Sequence, residues 1–146
     1  MTVYLAYWQL ILIILTALVF LTCLIWFVKK KFRSSELYSL DKEEIKKRWQ
    51  ELEELLSRKG ELNYKMAVLE ADKLLDHVLK DMRFGGSSLG ERLKVACYKY
   101  PNLKKVWAWH KIRNLLVHEA DYHLRENEAR KAIAGFKAAL KELGVL

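Results

Sequence analysis

Between His110 and His118 the chain reads HKIRNLLVH, two histidines, an arginine and an asparagine within nine residues. An imidazole titrates near neutral pH and passes a proton in either direction. A guanidinium keeps its charge and forks onto phosphate oxygens, a task that metal ions perform elsewhere. Such a set suits a phosphate-bearing substrate. A plainer reading stands beside it. Arg113 could pair with Asp72 or Glu119, and His118 could sit at a helix C-terminus, where a cation interacts well with the dipole.

Helical spacing decides which of these groups share a face. Turning about 100° per residue from Val106, Arg113 falls near 340°, His110 near 40°, Asn114 near 80° and His118 near 120°. Ala108, Trp109, Ile112, Leu115 and Leu116 fall on the opposite side, which the spacing predicts to face the core. Val106, Trp107 and Val117 interrupt the polar face. That mixture suits burial against another helix or a second copy of the chain.

Other chemistry finds less support. HExxH and CxxC are absent, and only Asn114 separates His110 from His118 on their face, so no metal is predicted. Gly85 and Gly90 have phosphate-loop spacing, but Glu91 follows where lysine is required and no strand precedes. The acids Glu70, Asp72 and Asp76 read first as a solvated face, with Asp72 the candidate partner for an arginine or histidine on the 110–118 helix. Nothing calls for a cofactor.

These groups need a scaffold, and the pattern is helical throughout. The first helix is expected from near Asp41, with Glu44 three residues on, an apolar face of Ile45, Trp49, Leu52 and Leu56, and an end at Arg58–Gly60. The clearest stripe is Tyr64, Val68, Ala71, Leu75, Val78 and Met82. Ser88 and Glu91 form a capping-box signature for a short helix that Pro101 prevents from continuing. A fourth helix is expected from about Leu103 to His118. A fifth runs from about Glu126 to Leu143, striped by Ala129, Ile133, Phe136 and Leu140, with Gly144 closing it. Tyr122 and His123 fall in the loop between them and read as surface residues. The prediction is all-α, one antiparallel bundle with short connections.

The N-terminal segment is of another kind. From Val3 to Val28 there are 26 residues without Asp, Glu, Lys or Arg. As a helix they would extend about 39 Å, against a hydrocarbon layer of roughly 30 Å. Tyr4, Tyr7 and Trp8 flank one end, Trp26 and Phe27 the other, as interfacial rings do. A cleaved leader has a shorter apolar core with basic residues before it. Here Lys29, Lys30, Lys31 and Arg33 follow instead. Residues 1–28 therefore read as a single-pass anchor contacting the lipid bilayer through 3–28, and 29–40 as a basic juxtamembrane linker that reaches anionic headgroups. Residues 41–146 form the helical domain. The charge bias places the N-terminus outside and the domain in the cytoplasm, with the anchor in the cell's inner (plasma) membrane.

Those four basic residues carry half of the formal net charge of +8. The rest of the chain is mildly basic, compatible with RNA but not diagnostic of it. Cys23 falls in the apolar segment and Cys97 in the helical domain, so no disulfide is expected and both read as packing residues.

Arg113-Asn114-Leu115-Leu116-Val117-His118 resembles the R-x4-6-H signature of the HEPN superfamily. AVLEADKLLDHVL, GSSLGERL and the stretch from Val106 to Phe136 are similar to HEPN-type domains of small bacterial membrane proteins, over roughly residues 41–143. The resemblance implies a helical bundle that dimerises with its two motif helices facing across a cleft. It implies metal-independent cleavage of single-stranded RNA, with His118 as general acid/base and Arg113 on the scissile phosphate. Asn114 would orient either group, and His110 would assist or line the cleft. Other domains of the superfamily serve as non-catalytic dimerisation, scaffold or nucleotide-binding modules, and that alternative stays open.

Overall fold

A computed structural model describes the backbone of residues 2–146 and the side chains of residues 15–26 and 42–146. Five α-helices follow one another: α1 (Thr2–Ser57), α2 (Glu61–Asp81), α3 (Leu89–Lys99), α4 (Val106–His118) and α5 (Glu126–Glu142). A 3-10 turn over Pro101–Lys105 leads into α4. No strand occurs among the described residues, so the protein is all-α. The chain divides into two compact units, Met1–Asp41 and Lys42–Leu146.

In the first unit the described side chains, 15–26, are all exposed on a helix. Phe20 and Trp26 are 71% and 64% exposed. The span expected over 3–28 rests in large part on side chains outside the described residues, as does the basic run that follows it. Among the described residues no helix is long and apolar enough to cross a membrane. Twelve helical residues rise only about 18 Å.

One boundary differs from expectation. The backbone is helical through 29–40 and past Asp41, where a helix start was predicted. Neither glycine nor proline occurs before Gly60, so nothing in the backbone chemistry interrupts α1. Gly60, at φ 129°, makes the break before α2.

Every buried side chain among the described residues belongs to the second unit, which thus holds a core of its own. Ile45, Trp49, Leu52 and Leu56 are buried, as their spacing predicts. On α1, Trp49 Nε1 donates to Glu53 at 2.8 Å, and Lys137 of α5 reaches the same carboxylate at 2.5 Å. Helix α2 is central: α3, α4 and α5 each pack against it. Its stripe Tyr64, Val68, Ala71, Leu75 and Val78 is buried, and Met82 is half-buried. Phe136, Leu140, Ile133 and Ala129 face it from α5. Each large apolar side chain so enclosed contributes roughly 1.5–3 kcal/mol.

Two helix ends share one stop signal. After α5, Gly144 N–H donates to Lys141 O and Val145 N–H to Leu140 O, with Gly144 at φ 74°. That is a Schellman motif, and buried Val145 supplies its apolar contact. After α2 the same bonds run from Arg83 to Lys80 and from Phe84 to Leu79. There the left-handed position holds Arg83, at φ 61°, where a side chain is unfavourable. Arg83→Gly is expected to raise stability by about 0.5–1 kcal/mol, read as a higher urea midpoint at unchanged slope.

Helix α3 opens as its sequence suggests, with a shift of one residue in the return bond. The Ser88 side chain accepts from Glu91 N–H, while Glu91 Oε2 takes the N–H of Ser87 at 2.6 Å and its hydroxyl at 2.9 Å. These bonds hold the Glu91 carboxyl below its usual range. Pro101 keeps Tyr100 out of the helical region, at φ −125° and ψ 82°, which ends α3. The next turn is 3-10 up to Lys105, so α4 starts three residues later than predicted.

The α4–α5 loop is tied to the start of α2. Glu61 accepts from Lys65 at 2.9 Å, from Leu124 N–H at 3.2 Å and from the exposed His123 ring at 3.2 Å. Lys65 first, then His123, holds the Glu61 carboxyl down at about 2. Because the folded value is depressed, this tie is complete above the ordinary value of 4.5 and is lost as pH falls toward about 2. Glu61→Gln is expected to remove the loop's acid-induced release in that window, followed by amide exchange at Leu124. Tyr122, read as a surface residue, is instead half-buried, and its hydroxyl donates to Glu128 at 2.6 Å. Burial, with Glu128 beside it, pushes that phenol up to about 12.

Candidate functional site

Asp72 is the buried polar residue of α2, facing α4 from within the central stripe. Its side chain is 4% exposed. His110 Nδ1 lies 2.7 Å from Asp72 Oδ1. Arg113 Nε lies 3.2 Å from Asp72 Oδ2. The second contact is close enough for charge pairing but too bent for a hydrogen bond. Arg113 Nε is the one buried side-chain polar atom among the described residues with no hydrogen-bond partner. Its guanidinium does donate from Nη1 to Asn114 Oδ1 at 3.1 Å. The pairing anticipated for Asp72 is thus present, with both an arginine and a histidine.

One helical turn along α2, Asp76 holds Arg92 of α3 through two bonds of 2.8 and 3.0 Å. Arg92 also donates to Gly86 O, and the Asp76 carboxylate raises the guanidinium pKa. Arg92 is buried although charged, because each of its three guanidinium nitrogens finds an acceptor. Sequence reasoning passed over it. The signal was its place on the buried stripe of α3, between Leu89 and Leu93.

These pairs line a groove of about 460 Å³. Lys73, Asp72 and Asp76 come from α2, Ser87 and Ser88 from the loop, Gly90 and Arg92 from α3, and His110, Arg113 and Asn114 from α4. The lining carries an excess of one positive charge before His110 is counted. Both arginines already face a carboxylate, and Lys73 reaches Glu70 at 2.6 Å. Among the described residues, no group of three or more His, Cys, Asp or Glu is placed to hold a metal ion.

Three of the four motif residues are brought together in this groove. His118 is not. It ends α4, exposed and outside the lining. Five residues at about 100° each leave Arg113 and His118 some 140° apart around the helix. Within one chain the imidazole and the guanidinium therefore do not share a crevice.

The rotation of α4 explains this and corrects its predicted core face. Arg113 and His110 turn inward to Asp72, with Val106 and Trp109 beside them. Val106 is the only buried residue of the helix's thirteen. Trp109 lies over Gly135 of α5, where a Cβ would come within 1.9 Å of its Nε1. Ala108, predicted to be core, is exposed, while Ile112, Leu115 and Leu116 are half-buried. Trp107 is 41% exposed, packed edge-on to His110 with ring centroids 6.1 Å apart. Its ring also lies against the Gly90 position. Burial pushes the Cys97 thiol up, and Cys97 is half-buried, while Cys23 is exposed.

No family model matches the chain, and the searches of curated proteins and of solved structures return no match. What fold and site define is therefore the class: an all-α protein with a helical-bundle unit and a polar groove between α2, α3 and α4.

Proposed function

We propose that residues 42–146 form a HEPN-like interaction module that pairs with a second copy through the exposed face of α4. In this reading the apolar N-terminal segment tethers it to a membrane. One observation carries the pairing: α4 has eight apolar residues and buries only Val106. Two of its polar motif residues, His110 and Arg113, are spent inside the domain, on Asp72. Ala108 is left uncovered, with Ile112 and Leu115 half-covered on the same side, and Trp107 is uncovered one step around the helix. An aliphatic stripe with an aromatic ring at its edge suits a protein contact. His110, Arg113 and Asn114 then act as positioning residues that fix the rotation of the contact helix.

The test is sedimentation equilibrium of the 42–146 unit. A dimer is expected, and Ala108→Arg, at an exposed position that cannot disturb the core, should return it to monomer with its thermal transition unchanged. A monomer at every concentration, or a dimer indifferent to Ala108→Arg, contradicts the reading.

Metal-independent RNA cleavage is the second reading, favoured by the exposed His118 imidazole on the uncovered side of the same helix. A second copy would have to bring its His118 to the first copy's Arg113. Cleavage in EDTA that His118→Ala abolishes without dissolving the dimer supports this reading. RNA left intact at high protein concentration removes it.

A further inference from the structure

From Arg92 to His118 the chain runs 27 residues with seven lysines and arginines and no acid. Arg92 and Arg113 point into the groove, which leaves Lys94, Lys99, Lys104, Lys105 and Lys111 exposed. The first four gather around α3. That helix buries Leu89, Arg92, Leu93 and Ala96 and turns Lys94, Val95, Tyr98 and Lys99 outward. Tyr98 is 85% exposed and Val95 44%. The 3-10 turn packs on α3 and carries Lys104 and Lys105. None of these four lysines has a carboxylate partner among the described residues. Lys99 instead lies 5.3 Å from the ring centroid of Tyr100. Glu91, one turn before Lys94, accepts from Ser87, and Glu142 accepts from Asn102 at 3.0 Å.

We propose that this face, Val95 and Tyr98 beside Lys94 and Lys99 on α3 with Lys104 and Lys105 on the adjoining turn, docks on an anionic bilayer surface. A tyrosine ring and an aliphatic side chain standing clear of a helix suit the headgroup–acyl boundary, and the lysines around them complement acidic headgroups. RNA would use the same charge. Yet Lys94 and Lys99 share the outward side of α3 with a protruding apolar pair and lie outside the groove lining, and Val95 offers a nucleotide nothing. The inference stands apart from α4 pairing and does not need α1 to cross a bilayer. If α1 does tether the unit, the raised local concentration strengthens a contact that is weak alone.

The experiment is co-sedimentation of the 42–146 unit, which has its own core, with vesicles of phosphatidylcholine alone or mixed with phosphatidylserine. Binding is expected only to the anionic vesicles, falling with added salt. It should drop about fivefold for each lysine removed in Lys104→Ala and Lys105→Ala. Tyr98→Ser should weaken it further, and circular dichroism should report an unchanged fold for these exposed positions. Absence of binding at low salt, equal binding to neutral vesicles, or indifference to the variants overturns the proposal. So does single-stranded RNA binding more tightly than vesicles with the same dependence on lysine and tyrosine, which would assign the face to RNA.

Discussion

Gly135→Ala should destabilise the helical unit by about 1–3 kcal/mol, although alanine is the better helix former by about 1 kcal/mol. The new methyl would lie 1.9 Å from Trp109 Nε1, 2.3 Å from Cδ1 and 2.6 Å from Cε2. No small adjustment relieves three contacts of that kind. The indole must swing away from α5, and with it goes the seat that α4 takes on that helix. Thermal unfolding should move down by about 5–15 °C for a unit of this size. Tryptophan emission should shift to the red as Trp109 enters water. An unchanged midpoint would mean that α4 does not rest on α5 as described.

Asp72→Ala should cost about 2–4 kcal/mol, with loss of the fixed rotation of α4. Removing one partner of a buried ion pair strands the other, typically at 3–5 kcal/mol. The figure here is reduced because the Arg113 side chain is 29% exposed and solvent screens it. Arg113→Ala should cost less, since it leaves Asp72 still bonded to His110. Urea unfolding checks both. An Asp72→Ala variant as stable as the parent would show that the carboxylate does not hold the helix.

The sequence made some of this legible and hid the rest for identifiable reasons. Helix α2 was readable because its apolar period is unbroken over five turns and every stripe residue meets a neighbour. The acids of α2 read first as a solvated face, with Asp72 a candidate partner for α4, yet Asp72 is buried against α4 and Asp76 is paired with Arg92. The rotation of α4 did not follow, because counting apolar residues put the core near Ala108 and Leu115. A buried carboxylate opposite the helix outweighs that count by drawing His110 and Arg113 inward. Trp107 and Val117 are then uncovered, a cost that periodicity alone cannot register. The Arg92–Asp76 pair joins positions sixteen residues apart on different helices, which no local pattern connects. The 3-10 turn begins at Pro101, which the sequence marks as the stop of α3 without showing the form of the next turn. The Arg113–His118 spacing fits the HEPN signature, yet spacing along one helix cannot say whether two chains complete a site.

A double-mutant cycle on Asp72→Asn and Arg113→Gln, measured by urea unfolding of the 42–146 unit, addresses the account most directly. If the carboxylate and guanidinium hold α4 in its observed rotation, the two losses should fall short of additivity by about 1–3 kcal/mol. Losses that add to within roughly 0.5 kcal/mol would contradict it, since residues that do not touch behave that way.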